Sequence, residues 1–281
     1  MKRAALLVTV SILTVAVLLP TMGCNKLRAR DQLNKGVQAY KGSNYEQAIE
    51  HFKNAINLDG DLKVAKMYLA TAYAQQYVPG IESPENLRNA QQAIEQYKTV
   101  LESDPKNITS LKGIAFLYMQ QKKFDESREY YKKALEADPN DPETYYSVGV
   151  IDWSQVFKDA GDLKGKEGLR VEDELKGKGV SQKLCDEMKA KDSAVLDEGI
   201  KMLQTAIDKR QDYDDAMVYM NLLYRRRAND MTCDDAQARA ELVKAANDWS
   251  DKAMAARKMK AEAAAKKGDV GGIHLDQPKS K

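Results

Sequence analysis

Apolar residues recur at intervals of three and four along most of the chain after Asn25, and strand-like alternation is essentially absent. That spacing predicts a succession of amphipathic helices. The clearest stretch runs from Ile108 to Asp141. Leu111, Ile114, Ala115 and Tyr118 fall on one face of a first helix, and Ser127, Tyr131 and Ala134 on one face of a second. Asn140 and Asp141 restart the pattern. Pro105 and Pro139 lie 34 residues apart, and the series Tyr97, Val100, Asp104 before the first returns as Tyr131, Ala134, Asp138 before the second. A two-helix unit of this size cannot bury its own apolar face, so it must stack on copies of itself.

The same pattern extends outward. Leu69, Ala70 and Tyr73 begin a unit that closes with Ala93, Tyr97, Val100 and Pro105, after about eleven extra residues around Tyr77 to Leu87. Pro79, Gly80 and Pro84 mark that insertion as a loop. A first unit runs from about Ala29 to Leu62, with Gly36 at a small position, Ala48, Phe52 and Ala55 on its second helix, and Gly60 in place of the closing proline. A fourth begins at Pro142 with Tyr145, Val148 and Gly149, but its second helix is delayed by about 38 residues, until Gly199, Leu203 and Ala206. A fifth offers Met217, Met220 and Tyr224, then a second helix near Ala246, Trp249 and Ala253. An Ala/Lys-rich helix to about Lys267 follows as an expected cap.

Bulky residue, Leu, small, Tyr, then Ala, aromatic, Ala and Pro is the order of the tetratricopeptide repeat, which these units resemble from roughly Ala29 to Ala253. The resemblance implies an all-α, right-handed helix-turn-helix solenoid of about five repeats, with insertions in repeats 2, 4 and 5 and a C-terminal capping helix. Its expected extent is 29–267. The insertion at 154–195 carries Leu163, Leu169, Val171, Leu175, Leu184, Met188 and Val195 among charges and glycines, and should form short helices around glycine joints. It is either a lid over the groove or a solvated excursion. Residues 268–281 have no periodicity and are expected to be disordered.

First helices line the inner surface in such repeats. The family's inward positions are Leu33, Val37 and Tyr40 in repeat 1, Met67 and Thr71 in repeat 2, Lys112, Phe116 and Met119 in repeat 3, and Tyr146, Val150 and Trp153 in repeat 4. An apolar and aromatic stripe of this kind suits a protein or peptide held by buried anchors. The competing reading makes several of these residues interhelical core, or covers them with the insertion. Members that clamp a C-terminal carboxylate use Lys and Asn where Leu33, Val37 and Met67 stand here, so that mechanism is not expected.

The amino terminus bears on location. Lys2 and Arg3 precede an apolar or hydroxylic run from Ala4 to Leu19, the pattern of a secretory signal. Thr21-Met22-Gly23-Cys24 resembles a bacterial lipobox at Gly23 and Cys24 and departs from it at Thr21 and Met22. The resemblance implies a signal peptide over 1–23, lipidation of Cys24 (a palmitate-type modification), a membrane-proximal linker at 24–28, and repeats facing an extracytoplasmic space. The periplasmic face of an outer membrane is favoured if the host has two membranes, because Asn25 is not the Asp of inner-membrane retention. Acyl chains would contribute about 0.8 kcal/mol per buried methylene. The alternative is an uncleaved anchor, although the run is short for a bilayer span.

Cys185 and Cys233 remain. Each falls in an insertion of neighbouring repeats, so a disulfide is plausible in an oxidising compartment and would contribute roughly 4 kcal/mol; two free thiols are the alternative. Net charge is +2 with 44 basic and 42 acidic residues intermixed, which points away from nucleic acid. His51 and His274 have no catalytic companion, no metal-ligand spacing occurs, and no glycine-rich loop ends in Lys-Ser/Thr. The run Arg225 to Arg227 reads as a solvated helix end, with contact to lipid headgroups or an acidic partner as the alternative. The expectation is therefore no enzyme, no cofactor and no metal. The expected role is that of an envelope scaffold or assembly factor, with an accessory role for cell-wall or polysaccharide enzymes or transport as the alternative.

Overall fold

The structure, a computed structural model, describes residues 24–175 and 179–269, with side chains to 266. The expected signal segment and nearly all of the expected disordered tail, with His274, lie outside the described residues. Among those described, the secondary structure is helical with no strand. The chain divides into two compact units, one ending at Ala137 and the other beginning at Asp138.

In the first unit, α1 (24–41), α2 (Tyr45–Leu58), α3 (Lys63–Gln76), α4 (Pro84–Ser103), α5 (Ile108–Gln120) and α6 (Phe124–Ala137) follow one another as antiparallel pairs. From α2 onward each helix packs on the next, and α3 also touches α5. The residues expected as a linker, 24–28, are the first turns of α1. Helix starts are chemically marked. Ser83 and Asn107 accept the backbone N–H of Asn86 and Ser110 at 3.2 and 3.0 Å, satisfying donors that the first turn leaves open. Pro84 occupies the first position of α4, where its missing N–H costs nothing. The second-repeat loop is therefore only 77–83, and the remainder of the expected insertion lengthens α4.

The core of this unit is apolar. Phe52, Ile94, Leu111, Ile114 and Leu117 are buried almost completely, with Ala48, Ala55, Ala93 and Ala134 where helices approach closely. The small position of the first repeat has a steric cause: a Cβ on Gly36 would lie 2.5 Å from the Phe52 ring. Ser127, which the periodicity placed on the buried face, donates to the Ala115 carbonyl at 2.7 Å and so joins the two helices of its repeat.

The second unit consists of α7 (Pro142–Lys166), α8 (Val180–Lys209), α9 (Asp214–Met231) and α10 (Ala236–Asp269). Here the sequence expectation needs correction. Among the described residues the 154–195 insertion does not break into short helices: it extends α7 to Lys166 and starts α8 at Val180. Gly161 and Gly165 sit inside α7, and Gly179 caps α8 with φ +58°. The helix continues because the buried stripe continues through Val156, Asp159, Ala160 and Leu163. The Ala/Lys-rich stretch expected as a separate cap is the distal part of α10, whose Ala246, Ala253 and Ala256 are buried on one face. Cys233 lies in a four-residue turn between α9 and α10 rather than in an insertion.

Two apolar clusters form in this unit. One joins Val156, Leu196, Leu203, Met220 and Leu223 with Ala253, and the other joins Ala160, Leu163, Leu175, Leu184, Met188 and the two cysteines. A Cβ on Gly149 would lie 2.5 Å from Leu203, so α7 and α8 touch closely at the repeat's small position. Cys185 and Cys233 are disulfide-bonded, with Cα atoms 5.9 Å apart, and tie α8 to the turn before α10.

Candidate functional site

The first helices of the repeats place the expected inner residues along their faces. In the first unit Leu33, Val37, Tyr40, Met67, Thr71, Lys112 and Met119 are half-buried, and Phe116 is exposed to 45%. They are not equivalent. Leu33, Val37 and Tyr40 also pack on the core cluster, and the Tyr40 ring meets Tyr45 at 5.5 Å and Tyr68 edge-on at 6.2 Å. The Thr71 hydroxyl donates to Met67 O at 2.9 Å and shares a 3.2 Å hydrogen bond with Tyr97, so it braces the two helices of its repeat. Burial raises the Tyr97 phenol above its usual pKa, which keeps it a hydrogen donor. Phe116 is left as the prominent apolar side chain of the third repeat.

In the second unit Tyr146, Val150 and Trp153 lie half-buried along α7. They belong to a larger aromatic row. Phe157, 38% exposed, stacks on Trp153 at 5.1 Å, while Tyr219 from α9 meets Trp153 at 5.4 Å and Tyr146 at 5.6 Å. Tyr213 lies 5.0 Å from Tyr146. Burial, then Tyr219 and Asp215, pushes the Tyr146 phenol far up, and burial pushes Tyr213 up to about 12. These rings are therefore neutral donors near pH 7, packed at the offset or edge-on geometries that aromatic pairs prefer. Phe157 was legible as the next four-residue step from Val150 and Trp153, whereas Tyr219 follows only from the crossing of α9 on α7.

Beyond the aromatic row, buried charges fix the connection between α7 and α8. Lys164, fully buried, donates to Val171 O at 3.0 Å, Asp173 O at 2.6 Å and Asp230 at 2.5 Å. Arg226 donates to Val171 O at 2.9 Å and pairs with Asp230 at 3.1 Å. Arg239 reaches Leu175 O and Cys233 O at 2.9 and 2.7 Å. Three helices thus hold one irregular segment by its carbonyls, which answers the requirement that buried polar groups be paired. Burial pushes the Lys164 ammonium down and the Asp230 carboxyl up, and their ion pair opposes both shifts. The expectation of a solvated arginine run is corrected here: Arg225 bonds Asn221 and Asn247 and Arg227 pairs with Asp197 near the surface, but Arg226 is core.

His51 shares a 2.8 Å hydrogen bond with Gln32, joining α2 to α1, and Cys24 opens α1 as an exposed thiol. Among the described residues no group of three or more His, Cys, Asp or Glu is placed to hold a metal, and no helix is long and apolar enough to cross a membrane.

Residues 87–148 match the tetratricopeptide repeat family model. A segment of 85 residues is 29% identical to the photosystem I assembly protein Ycf3 of Synechococcus sp. (strain CC9605); the match covers 28% of this chain and spans about half, 49%, of that relative. Among solved structures, MamA protein superposes with a TM-score of 0.55 at 12% identity over 90% of this chain and 98% of that one. MamA 41-end from Desulfovibrio magneticus RS-1 gives 0.53 at 15% identity over 83% and 96%. Family match and structural likeness agree with the helix pairs of the structure: the chain carries tetratricopeptide repeat sequence within an all-α helical-repeat solenoid fold.

Proposed function

We propose that this chain is a lipid-anchored extracytoplasmic scaffold that holds a partner protein, and assists its assembly, through the inner faces of its repeats. The carrying observation is that first helices in both units present half-buried or exposed apolar and aromatic side chains, Phe116 in one and Trp153 with Phe157 in the other. Rigid aromatic anchors of this kind concentrate binding energy when they enter a partner's pocket. An assembly role for the relative Ycf3 is in keeping with such a reading. The lipid anchor rests on Gly23-Cys24 after an apolar run, and the compartment on the same signal together with a disulfide that oxidising surroundings would preserve.

Co-purification from native membranes tests the scaffold. Phe116→Ala and Trp153→Ala together should lose a defined protein that wild type retains, with helicity unchanged. Retention of that protein by the folded double variant would refute the inner-face reading. Fatty-acid labelling of wild type and Cys24→Ala tests the anchor, and equal labelling of both would end it.

A further inference from the structure

The α3–α4 loop is built to stay in one shape while exposing apolar side chains. Asn86, buried at the start of α4, accepts the Val78 N–H at 2.7 Å and donates to the Val78 and Ile81 carbonyls at 2.8 and 2.6 Å. Tyr77 anchors the loop in the core. Val78, Ile81 and Leu87 are left 49%, 51% and 45% exposed within ten positions of sequence. Single exposed apolar residues are ordinary, but a cluster on a hydrogen-bonded loop marks a contact site.

The loop borders a cleft of about 660 Å³ whose opposite wall is the turn between α5 and α6, so two successive repeats of the first unit form it. The cleft lies on the edge where first and second helices are joined, not on the inner face. Tyr77, Ile81 and Leu87 supply its apolar surface, and Arg88, Lys122 and Lys123 supply cations against a single carboxylate, Glu82. Lys122 closes α5 in the left-handed conformation with φ +60°, which fixes the backbone of the basic wall.

We propose that this edge cleft is a second docking site, for an acidic segment of a partner protein that inserts a branched apolar or aromatic side chain between acidic flanks. The apolar cluster takes the anchor and the three cations take the flanks, so charge selects the partner and apolar contact holds it. The site is independent of the inner-face rows.

Fluorescence anisotropy on the full chain in detergent tests the proposal with a panel of short labelled peptides, each carrying a Leu, Ile or Phe pair flanked by glutamates. Matched peptides carry lysine flanks or a serine pair. At least one glutamate-flanked peptide should bind, and its serine and lysine counterparts should bind about tenfold or more weakly. Ile81→Ser with Leu87→Ser should abolish that binding. Arg88→Glu with Lys122→Glu should transfer preference to the lysine-flanked peptide, with circular dichroism unchanged. Phe116→Ala with Trp153→Ala should have no effect. The proposal is overturned if no glutamate-flanked peptide binds, if binding ignores the loop variants, or if the loop variants instead dissolve a dimer of this chain or release it from anionic vesicles.

Discussion

The two units solve the same packing problem with different chemistry. In the first, the buried polar side chains among the described residues are neutral: Asn86, Ser110 and Ser127. In the second they include Asp152, Asp159, Lys164, Asp192, Asp214, Arg226 and Asp230, together with a disulfide. An apolar core needs only complementary volume, and tolerates little more than loss of packing when one member is trimmed. A core with buried charges must keep every partner, because the loss of one leaves another uncompensated away from water. The second unit is therefore expected to be the more brittle one, and the more responsive to solution conditions.

That contrast is measurable because both tryptophans, Trp153 and Trp249, belong to the second unit. Their fluorescence reports on it alone, while circular dichroism follows both units. The largest expected effect is from Lys164→Met, which removes the cation that joins Asp230 to the 171–173 carbonyls. It should lower the stability of the second unit by about 3–5 kcal/mol. In urea the fluorescence transition should move to lower concentration and a later transition, seen only by circular dichroism, should stay in place. A common shift of both signals would show that the units unfold as one.

Next comes the disulfide. Cys185→Ser with Cys233→Ser should cost about 2–4 kcal/mol in the same fluorescence transition. An unchanged midpoint would mean that the buried charges alone hold the connection.

Smaller and pH-dependent is the effect of Asp192. It is buried on α8 and faces Asp159 from α7, Lys191 on its own helix and Asp230 from α9; burial first, then Asp159, raises it from 3.8 to about 7. Because the folded value is the higher one, the unfolded chain ionises first as pH rises. The stability contribution is full below about pH 4, declines through the interval up to about 7, and stays lost above it. Asp192→Asn should remove that slope and raise the fluorescence midpoint at pH 8. A slope that survives the substitution would assign the titration to another group. Smallest of all, Glu129→Gln removes a surface pair with Lys133 at 2.5 Å and should change stability by about 1 kcal/mol or less, in circular dichroism only.

The same contrast explains what could be read from the chain. In the first unit an apolar core writes its period openly, so Phe52, Tyr97, Leu111 and Ile114 fall on the faces that periodicity assigns them, and the inner residues from Leu33 to Met119 fall on first helices. In the second, Asp152, Asp159, Lys164 and Asp192 occupy positions on the buried stripe. Charge there looks like solvated sequence, which is why long, continuous helices were expected to be short ones. Arg226 was misplaced for the same reason, since its partners, Val171 O and Asp230, become visible only once the connection is folded against α9. Glycine misled as well: Gly165, flanked by lysines, reads as a joint, yet it lies within α7. The edge cleft had no periodic signal, because Asn86 creates it by bonding loop carbonyls that no spacing rule reports.

Site-specific photocrosslinking in native membranes tests the scaffold most directly, with a photoreactive residue placed in turn at Phe116, at Trp153 and at the solvent-facing Glu129 on a second helix. The inner faces should capture one defined protein from both Phe116 and Trp153, and Glu129 should not. Capture of that protein with equal efficiency from all three positions, or from Glu129 alone, would contradict binding through the first helices.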